Sequence, residues 1–175
     1  TSERAKMKVL ELLGTVAACS SPITCFVVPF TRIQEEIRKN CPEELFTIIM
    51  RRIMMEIATR LAESEGCQAL VTGESVGQVA SQTMEALFCT DAAAGMPVFR
   101  PLIGMDKDEI VRIARKIGTF EISIQPYEDC CTVFTPKHPR TKPVLKYVEA
   151  AQNAFDFGPL IDEAAAGAER MRIVG

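Results

Sequence analysis

Histidine occurs once, at His138, and no C-x-x-C pair is present. These scarcities remove the usual donor sets of zinc sites, which use Cys and His at short, repeated spacings. The cysteines Cys19, Cys25, Cys41, Cys67, Cys89, Cys130 and Cys131 are odd in number and irregularly placed, unlike the framework of a secreted disulfide scaffold. No run of eighteen apolar residues occurs, and TSERAKMKVL lacks the apolar core of a signal peptide. The chain therefore reads as cytoplasmic, without a membrane partner. Surplus positive charge is missing too: 20 Lys and Arg stand against 23 Asp and Glu, a formal net charge of −3. That excludes a broad basic footprint, so a polyanion would have to be gripped locally or by other segments. There is no internal repeat and no low-complexity tract.

What is present suits a single α/β domain over residues 1–175. A chain of 175 residues with 47% hydrophobic content can bury one core. Met7, Val9, Leu10, Leu13, Val16 and Ala17 form a helical stripe behind Ser2 as N-cap. TCFVVPF at 24–30 is β-branched, aromatic and short, as a buried strand would be, and TRIQEEIRKN follows as a polar helix. Leu45, Ile49, Ile53, Ile57 and Leu61, reinforced by Phe46, Met50 and Met54, predict a long covered helix from Asn40 to Ser64. CQALVTG at 67–73 is a second strand running into a turn and helix, GESVGQVASQTMEALF. PVFRPL at 97–102 is a third, followed by a helix with Asp106 as N-cap, Glu109 at the capping-box position and Gly118 as its stop. This βαβα order predicts right-handed crossovers and a three-layer parallel sheet. Beyond an irregular segment with prolines at 126, 136, 139 and 143, KYVEAAQNAFDF and GPLIDEAAAGAERM predict a helical tail.

Ligands of open parallel sheets sit at the carboxyl ends of the strands. Three places qualify here: the end of VVPF, the TGESVGQ turn and the RPLIGMDKDE turn. Gly73 and Gly77 permit close approach of backbone to an anion, although the stretch is neither a Walker A loop nor G-x-G-x-x-G and also serves as an ordinary strand-to-helix turn. Arg51 and Arg52 interrupt the apolar helix and must reach solvent, pair with a glutamate or meet an anion such as phosphate. Lys107 is either a solvated helix-start lysine or a cation aimed at phosphate.

YEDCC sets Cys130 beside Cys131. Adjacent cysteines rarely bond to each other, because the ring strains the peptide between them. The pair reads as thiols with separate fates, reactive or packed. Tyr127, Glu128, Asp129 and Thr132 are poor core neighbours, but acids raise a thiol pKa, so Lys137, His138 or a helix terminus would be needed to favour thiolate.

TSERAK, MRRIMM, TGESVGQVASQT, RPLIGMDKDEI, IGTFEISIQPYEDCCTVFTPKHPRTKP and FDFGPLIDEA follow one another in the order found in tRNA 4-thiouridine synthetases, and over nearly its whole length the chain resembles the ThiI family. The resemblance implies a Rossmann-like, adenine nucleotide alpha-hydrolase-like fold, a PP-loop ATP pyrophosphatase domain. It also implies an activity: ATP adenylates uridine at position 8 of tRNA, and persulfide sulfur replaces O4. Arg51, Gly73 and Gln82 match residues that contact the nucleotide. Lys107 matches a lysine needed for adenylation, and Cys130 a cysteine that forms a disulfide with the persulfide-bearing cysteine during sulfur transfer. Implied with these are ATP and its Mg2+, tRNA, a cysteine desulfurase as sulfur donor, a thiamine sulfur carrier protein in members that supply the thiazole of thiamine, and a homodimer at full length.

The sequence departs from the family pattern in having no S-G-G-x-D-S loop and no ferredoxin-like, THUMP or rhodanese segment. The expectation is a piece of a longer protein, truncated within its catalytic domain, inactive alone, with Cys131 a candidate substitute for the missing rhodanese cysteine. Two other classes fit the sequence as well: a non-catalytic nucleotide-binding or interaction module, and a thiol oxidoreductase, against which the missing C-x-x-C weighs.

Overall fold

The computed structural model describes residues 3–79, 81–127, 136 and 138–175. Ser2, expected as a cap, and Cys130, Cys131 and Lys137 lie outside the described residues. The chain forms two compact units, one from residues 1–27, 105–134 and 169–175, the other from 28–104 and 135–168.

The first unit joins helix α1 (Glu3–Ala18), strand β1 (Ile23–Val27), helices α5 (Lys107–Lys116) and α6 (Phe120–Ser123), and strand β4 (Glu169–Ile173). The start of α5 is as expected. The Asp106 carboxylate accepts from the Glu109 amide at 2.8 Å while Glu109 Oε2 accepts from the Asp106 amide at 2.9 Å, and Gly118 beyond the helix end has φ +76°.

Strand β1 overlaps TCFVVPF, starting one residue earlier at Ile23 and ending at Val27, but it pairs antiparallel with β4. The sequence pattern extends the helical tail over residues 169–171; instead Gly167 ends the helix, and ERMRI continues as strand. Ile23 lies opposite Ile173 and Cys25 opposite Met171 on one face, while Thr24 and Phe26 lie opposite Arg172 and Arg170 on the other. Shifting the register by one residue would put the arginines against the apolar side.

The second unit is built around helix α3 (Phe46–Ser64). Its start differs from expectation: α2 (Thr31–Asn40) ends before Pro42, and a single 3₁₀ turn, Glu43–Leu45, leads into α3. Ile49, Met50 and Ile53 are fully buried, each worth roughly 1.5–3 kcal/mol. Met54, at 37% exposure, faces outward. Around this axis pack Ile33 and Ile37 of α2, Leu87 of α4 (Met84–Asp91), Val148 of α7 (Leu145–Gln152) and Ile161 of α8 (Gly158–Ala166).

Strands β2 (Leu70–Val71) and β3 (Val98–Phe99) form the expected parallel pair, Leu70 opposite Val98 and Val71 opposite Phe99. Leu70 is buried on the α3 side, whereas Val71 and Phe99 are both exposed. Among the described residues the parallel sheet is represented by this pair. No helix among them is long and apolar enough to cross a membrane.

Candidate functional site

The carboxyl ends of β2 and β3 lie side by side, so the segments that leave them meet. The Val76 amide donates to the Ile103 carbonyl at 3.1 Å, joining the TGESV segment to the turn after β3. The chain does not pass directly from strand to helix here. The chain turns at Gly77, whose φ of +80° suits glycine, and the Gly77 amide donates to the Gln82 carbonyl at 2.9 Å. Thr83 then caps α4, its Oγ1 accepting from the Ala86 amide at 3.2 Å. The Ala86 amide in the first turn of α4 is thus already used by this cap.

The two adjacent arginines of α3 have separate fates. Arg52 points inward, donating from Nε to Gln152 Oε1 and from Nη1 to the Cys89 carbonyl, both at 2.6 Å. Gln152 in turn donates to Glu56 at 2.8 Å, which completes a buried polar link across α3, α4 and α7. Arg51 reaches the β2 edge, where its partner is Glu74. Both arginines therefore find the compensation that a partly apolar helix demands, Arg52 in the core and Arg51 at the strand ends.

Glu74 has a side-chain exposure of 5%. One of its oxygens takes Arg51; the other accepts from Arg100 Nε at 2.7 Å and Thr72 Oγ1 at 2.9 Å. Arg100 also engages Asp91, the last residue of α4, through Nη2 at 2.5 Å and Nη1 at 3.3 Å. Burial pushes the Glu74 carboxyl up. The Arg100 hydrogen bond, the Arg51 charge and the Thr72 hydroxyl outweigh that penalty and hold it below the ordinary carboxylate value.

Of the residues anticipated from sequence, Arg51, Gly73 and Gln82 belong to this unit. Gly73 is exposed directly before Glu74, and an added Cβ there would meet nothing within 4 Å. Gln82 Oε1 is buried without a hydrogen-bond partner among the described residues. An unsatisfied polar atom in the segment between β2 and α4 suits a ligand that brings donors, as the amino and hydroxyl groups of a nucleotide would. Lys107 opens α5 in the other unit and is exposed. Cys130 lies outside the described residues. Cys89 and Cys41, which are described, have thiols pushed up by burial, the opposite of what sulfur nucleophiles require. Sequence reasoning missed Glu74 and Arg100. A signal existed, since an arginine in an apolar helix requires an anion, and TGES supplies one at the end of a strand.

A family model described as "Thiamine biosynthesis protein (ThiI)" matches residues 1–157. A "Probable tRNA sulfurtransferase" of Acetivibrio thermocellus is 56% identical over 173 residues, 99% of this chain and 44% of that protein. A "Probable tRNA sulfurtransferase" of Bacillus velezensis is 49% identical over 173 residues, again 99% of this chain and 43% of the relative. A solved "4-thiouridine synthetase - RNA complex with bound ATP" superposes with a TM-score of 0.92 at 39% identity, covering 99% of this chain and 46% of that one. The fold is thus the Rossmann-like α/β fold of the ATP pyrophosphatases, and the chain spans less than half the length of the relatives it matches.

Proposed function

This chain belongs to the ThiI family, and we propose that in its longer protein it contributes to ATP-dependent sulfur transfer to tRNA, yielding 4-thiouridine at position 8. The observation that carries the reading is the 0.92 TM-score to a 4-thiouridine synthetase bound to RNA and ATP, extending over 99% of this chain. Both units belong, in this reading, to one partial PP-loop ATP pyrophosphatase domain, through which the family match runs continuously.

ATP, accompanied by Mg2+, is a substrate. Three residues fit it: Arg51 of α3 supplies a cation, Gly73 after β2 an open backbone and Gln82 before α4 an uncommitted acceptor. The chemistry follows from a leaving-group problem. Uracil O4 departs poorly as oxide; once O4 has attacked the α-phosphorus and displaced pyrophosphate, it departs as part of AMP. Lys107 is assigned to charge stabilisation in that step. The outer sulfur of a persulfide then attacks C4 and AMP leaves. Cys130, as thiolate, attacks the inner sulfur; this forms a protein disulfide and leaves the outer sulfur on C4. An external thiol reductant must reopen that disulfide for the next cycle.

The partners in this reading are tRNA, held mainly through segments beyond this chain, and a cysteine desulfurase that loads the persulfide. A sulfur carrier for thiamine synthesis is a further acceptor, and the full-length protein is a homodimer acting in the cytoplasm. The decisive experiment measures pyrophosphate release and thiouridine formation by the full-length protein with ATP, tRNA and a persulfide donor. Pyrophosphate release that does not depend on tRNA, or absence of thiouridine, would refute the proposal.

A further inference from the structure

Glu74, just beyond the carboxyl end of β2, is the shared partner of Arg51 and Arg100. It is the most buried of the four charged groups there, with side-chain exposures of 5% for Glu74, 10% for Arg100, 24% for Arg51 and 47% for Asp91. We propose that Glu74 is a positioning residue: it fixes the Arg51 guanidinium at the carboxyl end of β2, ready to meet the phosphates of ATP. This rests on the reading of Arg51 as a nucleotide contact.

The geometry supports it link by link. Asp91 at the end of α4 holds Arg100; Arg100 and Thr72 hold one oxygen of Glu74; the other oxygen holds Arg51. Glu74 cannot rotate toward another partner without giving up those bonds. An arginine carries five N–H donors, and Glu74 engages a single nitrogen of Arg51, so the rest of the fork is left for an incoming anion. Arginine is rotamer-rich, and ordering it before the ligand arrives is worth roughly a two- to tenfold gain in affinity.

A carboxylate beside a phosphate-binding arginine could also weaken binding by cancelling its charge. Here that effect is the smaller one. Glu74 is shared between two guanidinium groups, and the second acid, Asp91, is half-exposed and screened by solvent. The buried part of the cluster retains an excess of cation.

The sign of the effect decides the matter, and the KM for ATP in tRNA-dependent pyrophosphate release by the full-length protein reads it. Glu74→Gln is expected to raise that KM about three- to tenfold and leave the KM for tRNA unchanged. Thr72→Val, which deletes one hydroxyl and no charge, should raise it about twofold even if Glu74→Gln folds poorly. In an Arg51→Ala background the Glu74→Gln increment should vanish, because a positioning residue has nothing left to position. A fall in KM for ATP, an equal increment in the Arg51→Ala background, or parallel changes in both KM values would overturn the inference. If Arg51→Ala raises the KM for ATP but Glu74→Gln and Thr72→Val do not, this inference alone fails. If Arg51→Ala has no effect, the nucleotide-contact reading of Arg51 fails and takes this one with it.

Discussion

Arg52 donates from Nε to Oε1 of Gln152 at 2.6 Å, joining the middle of α3 to the last residue of α7. Removing the glutamine would leave a buried guanidinium short of an acceptor and Glu56 short of a donor. Gln152→Ala is therefore expected to cost about 1–3 kcal/mol, read as a lower midpoint in urea unfolding. Because Arg52 is committed to the core, the ATP affinity of the folded variant should be unaltered.

Acid should act on the Glu74 cluster in a defined window. Burial works against the Glu74 charge, but Arg100, Arg51 and Thr72 more than offset it, so folding lowers the carboxyl's pKa. The native state thus binds this proton more weakly than the unfolded chain does. The resulting stability is fully present above the unfolded value near 4.5 and is lost as pH falls through the lower native value. The stability difference between wild type and Glu74→Gln should be constant from about pH 6 to 8 and should shrink below about pH 4.5 in denaturant titrations.

Asp106 and Lys107 are neighbours with separable roles. Asp106→Ala removes one half of the capping box and should cost about 1 kcal/mol of stability. Lys107 is exposed, so Lys107→Ala should change stability by less than about 0.5 kcal/mol while abolishing tRNA-dependent pyrophosphate release. Unfolding curves and pyrophosphate assays on the two full-length variants give the comparison.

For the cysteine pair, Cys130→Ala in the full-length protein is expected to abolish thiouridine formation while tRNA-dependent pyrophosphate release continues. Cys131→Ala should retain both. Loss of pyrophosphate release in Cys130→Ala would place that residue in adenylation instead of sulfur transfer, and full thiolation in both variants would show that the sulfur travels by another route.

Features carried by neighbouring residues were legible in the sequence. The Asp106–Glu109 box, the Gly118 stop and the buried Ile49, Ile53 and Ile57 all depend on spacings of three or four positions. The pairing of β1 with β4 was not, because its two strands are separated by most of the chain. Alternation in ERMRI was visible, but the preceding Ala-rich helix disguised it, since Ala, Glu, Arg and Met are all strong helix formers. The site divides in the same way. Arg51, Gly73 and Gln82 stand out through motif or misplaced charge, whereas Glu74 acquires its meaning from Arg100 and Asp91, which reach it only after β2 and β3 pair.

Consecutive arginines on α3 make the helix sensitive to insertion in one half and tolerant in the other. Each added residue turns an α-helix by about 100°, so one extra residue between Phe46 and Arg51 would swing whichever arginines follow away from Glu74 and Gln152 together. The same insertion beyond Leu61 would displace neither. The length of chain from the Glu43–Leu45 turn to Arg51 therefore acts as a fixed ruler, and natural variation in length along α3 should collect at its far end.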